Sequence, residues 1–150
     1  MMSKTDYVYV TYIATTPQKL WQALVDTEIT RKYWFDHINV SDWQPGSQWK
    51  HQRTDEAQTI DVIGKVVETN PPNRLVVTWA RPTEFDDDTK HARLTFDIAL
   101  HVDGLVRLTI THEDLDEAML NAISGGWPKV LSNLKTLLES GQVLQFDSCK

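Results

Sequence analysis

The sequence has one cysteine in 150 residues, Cys149, next to last. A single thiol permits no intrachain disulfide and no cysteine-based metal site, and it fits a reducing compartment. Positive charge is also scarce: 15 Lys and Arg stand against 21 Asp and Glu, for a formal charge of −6. That balance speaks against a general binder of nucleic acid or of anionic membranes. No run approaches the ~18 apolar residues of a membrane span, and the start, MMSKTDYVYV, lacks an apolar signal core. These absences lead to the expectation of a cytoplasmic protein that does not insert into a membrane. There is no linker-like composition, repeat or low-complexity tract, so one domain over 1–150 is expected, with its core at about 7–141.

Motif chemistry is equally sparse. GxxxxGK[ST], GxGxxG, HExxH and GxSxG do not occur, so no nucleotide, zinc-protease or nucleophile-elbow site is indicated. The stretch Gly125-Gly126-Trp127-Pro128-Lys129 lacks the glycine spacing of a phosphate loop, and Pro128 removes a backbone N–H that a phosphate would need. Asp86, Asp87 and Asp88 lie in an acidic loop without a calcium-loop pattern. His37, His51, His91, His101 and His112 are scattered over separate segments. No metal and no cofactor are expected.

What is present is 41% hydrophobic residues, including six tryptophans suited to a core, a pocket wall or an interface. Residues 7–13 read as a strand. Thr16 and Pro17 open a helix whose apolar face is Leu20, Trp21, Leu24 and Val25. Residues 28–35 read as a second short helix. The period then changes to two over 37–43, 47–53, 59–69, 74–80, 91–101 and 106–113, with turns at Gln44-Pro45-Gly46, Asn70-Pro71-Pro72-Asn73 and Asp103-Gly104. Strands without intervening helices form an antiparallel sheet, and its apolar face needs a cover. Residues 114–124 suggest a short helix. A break at the two glycines then leads into a helix from Trp127 to Gly141, with Trp127, Val130, Leu131, Leu134, Leu137 and Leu138 on one stripe.

One strand carries candidate chemistry. In SQWKHQR, alternation puts Trp49, His51 and Arg53 on one face. If Trp49 points inward, His51 and Arg53 line a wet pocket; otherwise Arg53 reaches solvent and His51 bonds to a neighbour. His51 is the best candidate for acid–base work, with Arg53 as an anion stabiliser.

Four phrases in order, ITRKYWF…DWQPGSQWKH, IGKVVETNPPNRLVVTW, DGLVRLTITHEDL and GGWPKVLSNLKTLLESG, resemble the activator-of-heat-shock-protein-90-ATPase-like family of the START-like, or SRPBCC, superfamily. The resemblance implies an α+β helix-grip fold, like the birch-pollen allergens: a curved antiparallel sheet of six to seven strands around a long C-terminal helix, with two short helices after strand 1. It also implies an apolar cavity between sheet and helix. The expected wall is Trp34, Phe35, Trp49, His51, Trp79, Phe96, Leu108, Trp127, Val130, Leu131 and Leu134. A small apolar or lipid-like ligand is the first expected partner. The alternatives are a polyketide cyclase or hydrolase using the same cavity and, less favoured, a chaperone-binding regulator. The oligomeric state is left open.

Overall fold

Alternation at period two becomes sheet in each of the segments that show it, over most of their length. In a computed structural model that describes residues 4–146, the strands are β1 (Thr5–Ile13), β2 (His37–Val40), β3 (Gln48–Arg53), β4 (Ile60–Asn70), β5 (Arg74–Trp79), β6 (Ala92–Val102) and β7 (Leu105–Leu115). Cys149 lies outside the described residues. The strands form one antiparallel sheet in the order β1-β7-β6-β5-β4-β3-β2. Its inner face takes every second residue, such as Leu94, Phe96 and Ile98 on β6 and Val106, Leu108 and Ile110 on β7. Gly104, at φ +80°, supplies the left-handed turn residue that closes the β6–β7 hairpin.

The strand expected over 37–43 stops at Val40. Ser41 Oγ accepts from the Trp43 amide and Asp42 Oδ1 from that of Gln44, and Trp43 itself adopts φ +59°. These local bonds turn the chain out of the sheet.

Helix α1 (Pro17–Val25) starts as its sequence indicates, with Thr16 Oγ1 accepting from the Lys19 amide and Pro17 at the first position. Asp26 caps α2 (Thr27–Tyr33). Helix α3 runs unbroken from Glu117 to Ser140, with Asp116 as its N-cap and Gly141 in the left-handed conformation beyond its end. This corrects the expected break at Gly125-Gly126 and the short separate helix over 114–124. Asp114 and Leu115 belong to β7, and the glycines and Pro128 lie inside the helix.

The physical reason is one apolar stripe that crosses the glycines: Met119, Ile123, Trp127, Val130, Leu131 and Leu134 are all buried. Two mid-helix glycines cost about 1 kcal/mol each, whereas each large side chain buried contributes about 1.5–3 kcal/mol. Pro128 withdraws one donor, from a turn whose Ser124 is exposed to solvent.

The sheet curls around α3, the helix-grip arrangement. Asn133, buried on α3, donates through Nδ2 to the Tyr33 carbonyl at 3.0 Å and accepts from the Leu144 amide at 2.7 Å. It thereby ties α2 and the chain after α3 to the same helix. At the other side of the sheet, Lys135 Nζ donates to the Tyr12 carbonyl at 2.7 Å and the Ala14 amide donates to Glu139 Oε2 at 2.8 Å. No described helix is long and apolar enough to cross a membrane.

Candidate functional site

Helix and sheet do not meet everywhere. Where α3 passes the ends of β3, β4 and β5, a cleft of about 250 Å³ remains. Three indoles wall it: Trp34 just after α2, Trp79 at the end of β5 and Trp127 on α3. The Trp127 ring lies 5.4 Å from Trp34 and 6.1 Å from Trp79, centroid to centroid. Val62, Ile123 and Val130 add aliphatic surface. Ala122 and Gly126 keep the α3 wall low, and a Cβ built on Gly126 would meet nothing within 4 Å.

The polar edge is His37, His51 and Asp61. Asn39 stands opposite His51 in the β2–β3 register, and its Oδ1 lies 2.7 Å from His51 Nδ1. The carbonyl oxygen accepts, so Nδ1 carries the proton and Nε2 holds the lone pair. His37 stacks on His51 at 4.4 Å, with 7° between the ring planes. Its own nitrogens face two acceptors, Nδ1 the Phe35 carbonyl at 2.9 Å and Nε2 the Asp61 Oδ2 at 2.7 Å. Asp61 is the extra residue of a bulge in β4, since His51 pairs with Val62 but Gln52 with Ile60. Its Oδ2 also accepts from Arg53 Nε at 2.9 Å.

Burial pushes the His51 ring down to about 3, helped by the neighbouring His37 and opposed by Asp61. Burial pushes the Asp61 carboxyl up. Hydrogen bonds from Arg53 and His37, with their charges, outweigh this and hold it below the usual carboxylate range. A general base works best with a value near the operating pH. His51 is therefore a neutral hydrogen-bond acceptor and a weak base.

Behind the cleft, Trp127 Nε1–H donates to His112 Nδ1 at 3.2 Å. This fixes the indole and leaves the proton of His112 on Nε2, which is sealed and has no hydrogen-bond partner among the described residues. The His112 ring stands edge-on to Trp79 at 4.8 Å, and burial pushes it down to about 4.

Of the residues expected to wall a cavity, Trp34, His51, Trp79, Trp127 and Val130 line this cleft. The others lie elsewhere. Trp49 packs between Trp43 and Trp79, with Nε1 donating to the Thr78 carbonyl at 2.7 Å. Phe96 meets Trp127 edge-on but faces the packed interior, and Leu108, Leu131 and Leu134 are close-packed core. Phe35 is turned away by two consecutive left-handed residues, itself and Asp36. It lies in an outer groove of about 620 Å³ with Arg31, Lys32, Leu144 and Phe146. Arg53 also lines that groove, with its Nε on Asp61 Oδ2. His91 bonds to Thr78 and the Phe85 carbonyl, and His101 packs on Tyr12 on the outer face. No group of three or more metal-ligating side chains stands together among the described residues.

Cleft residues that the sequence reading passed over are His37, Asp61, Val62, Ala122, Ile123 and Gly126. Alternation alone places His37 on the face of Asn39, and His112 on that of Leu108 and Ile110. Asp61 depends on the bulge, which leaves no mark in the period.

A family model described as Activator of Hsp90 ATPase homolog 1-like protein matches residues 14–139. No curated protein matches the sequence. Among solved structures, an HSP90 activator from Plasmodium falciparum superposes with a TM-score of 0.72 at 15% identity, covering 89% of this chain and 95% of that one. The Aha1 dimer from Colwellia psychrerythraea gives 0.73 at 20% identity, covering 91% and 98%. CalU16 from Micromonospora echinospora gives 0.71 at 18% identity, covering 91% and 77%. At these identities the likeness is one of fold.

Proposed function

Because the chain belongs to the Activator of Hsp90 ATPase homolog 1-like family, a family model that names no ligand, we propose from its own geometry that it binds a small apolar molecule in the tryptophan-walled cleft. The observation that carries this reading is the cleft itself: three indole rings and three aliphatic side chains around about 250 Å³, with polar groups along one edge. Few polar groups on an apolar wall is the usual make-up of a ligand pocket, and the volume lies just under the ~300–1,000 Å³ of drug-sized sites. A ligand of one or two rings suits it. The cyclase or hydrolase alternative has less support, because His51, the candidate base, is held far below the range of an efficient base. A chaperone partner is a second reading, favoured by the fold shared with the Plasmodium falciparum HSP90 activator. It predicts a changed ATPase rate when the protein is added to a heat-shock chaperone from its own cell.

Gly126→Leu tests the ligand reading. The new side chain points into the cleft from a regular helical position, so it fills the space without disturbing the backbone. Relative to glycine it also favours the helix by about 0.5–1 kcal/mol. Naphthalene titrated into the native protein is expected to quench tryptophan fluorescence saturably. The variant is expected to melt at a higher temperature and to show no saturable quenching. Equal quenching in both proteins refutes the cleft as the site.

A further inference from the structure

His51 Nε2 is an uncommitted acceptor among the apolar walls of the cleft, and its chemistry points to a class of ligand. Nδ1 of His51 is taken by Asn39. Both nitrogens of His37 face acceptors, and Asp61 Oδ2 already receives two donors. The sealed, unpartnered side-chain atoms among the described residues are Thr15 Oγ1, Thr69 Oγ1 and His112 Nε2. Among the described residues His51 Nε2 has no hydrogen-bond partner and is not one of the sealed atoms, and His51 lines the cleft, so the atom is open to a molecule lying there. Its lone pair can accept and cannot donate.

The charges point the same way. Arg53 lines the outer groove while its Nε bonds Asp61 Oδ2, and no described arginine or lysine lines the cleft. The Asp61 carboxylate stands at the edge instead. That carboxylate is paired with Arg53 and His37, so an anion entering would lose its hydration without meeting an unpaired cation on the cleft wall. The aromatic faces of Trp34, Trp79 and Trp127 suit a flat ring, which gains by offset or edge-on packing.

We propose that the cleft selects a neutral aromatic alcohol, a phenol of one or two rings, whose hydroxyl donates to His51 Nε2 while the ring lies among the three indoles. This rests on the cleft being a ligand site. The preference comes from pairing the His51 acceptor: an unsubstituted arene leaves Nε2 without a partner, and a carboxylate brings charge and no donor to it.

The test is a fluorescence titration at about pH 7 with naphthol, naphthalene and naphthoate, on native protein and on His51→Phe. Naphthol is expected to bind about three- to tenfold tighter than naphthalene, the size of one net hydrogen bond. Naphthoate is expected to bind at least about tenfold more weakly than naphthol. In His51→Phe the advantage of naphthol over naphthalene should vanish while naphthalene still binds. Long-range proton–nitrogen NMR of the native protein supplies a readout that needs no variant. His51 Nε2 should be unprotonated when free, and its resonance should move with naphthol and not with naphthalene. Naphthoate binding tightest, a protonated Nε2, or a naphthol advantage that survives His51→Phe each overturns the proposal. Equal binding of naphthol and naphthalene overturns the ligand class and leaves the cleft as a site; no binding by any of the three overturns both.

Discussion

Lowering the pH from 7 to 5 should cost this fold about 4 kcal/mol through two buried histidines. In the native state burial pushes His51 down to about 3 and His112 to about 4, against 6.5 for an ordinary histidine. Both rings are nearly inaccessible, at 6% and 0% exposure, so little solvent screening applies. The folded state keeps them neutral. As the pH falls through 6.5, the unfolded chain takes up a proton at each site and the native chain does not. The stabilisation is therefore complete above 6.5, drains away toward 4 and 3, and levels off below. Between pH 7 and 5 each site accounts for about 2 kcal/mol, a large share of the ~5–15 kcal/mol typical of a folded domain. Asp61 and Asp116, both held below the usual carboxylate value of 3.8, lose their contribution only at lower pH. The assay is urea unfolding at constant ionic strength, followed by tryptophan fluorescence at the two pH values. His112→Phe should start lower at pH 7, because it strands the Trp127 N–H, at about 1–3 kcal/mol. It should then lose only about 2 kcal/mol on acidification. A native stability flat to within about 1 kcal/mol, or an identical acid loss in His112→Phe, would falsify the assignment of that loss to buried neutral histidines.

Two further outcomes follow from the backbone. Gly64 faces Trp49 across the β3–β4 pair, and a Cβ there would overlap the Thr78 carbonyl and stand 2.7 Å from Trp49 Nε1. Gly64→Ala should therefore destabilise by at least about 2–3 kcal/mol in urea unfolding, and a stability within about 0.5 kcal/mol of native would show that the crossing is not tight. Gly125 is the opposite case: it is exposed in mid-helix with nothing within 4 Å of a built Cβ. Gly125→Ala should raise stability by about 0.5–1 kcal/mol and leave naphthalene binding unchanged, and a loss of stability would refute the continuous helix.

The parts of the fold legible in the sequence are those set by local pattern. Thr16-Pro17, the Asp103-Gly104 turn and the alternation through Leu94–Ile98 specify their elements within a few residues. The long helix is not legible at Gly125-Gly126-Trp127-Pro128, where propensity says stop. Burial of Met119 and Ile123 on the same stripe as Trp127 overrides it, and that partner surface on the sheet lies far away in sequence. The site was legible to a similar depth. Alternation from Trp49 puts His51 inside, but whether Arg53 follows depends on Asp61, and Asp61 reaches both Arg53 and His37 only through a bulge. Leu108, Leu131 and Leu134 illustrate the other limit: an inward-facing residue fills core or lines a void according to how close helix and sheet come, and no one-dimensional pattern records that distance.

The clasp between α3 and β1 has a consequence for how these molecules behave in a crowd. Strand β1 is one edge of the sheet, and its outer face carries Val8, Val10 and Tyr12 in the open. An edge of that composition is a template on which another chain could add a strand. Lys135 and Glu139 occupy the Tyr12 carbonyl and the Ala14 amide, so the last rungs of the template are spoken for by the protein's own helix. The opposite edge, β2, is only 4 residues long. The same helix that the sheet grips thus blocks one end of that edge, and a chain whose α3 end has come loose would free those two groups for another strand.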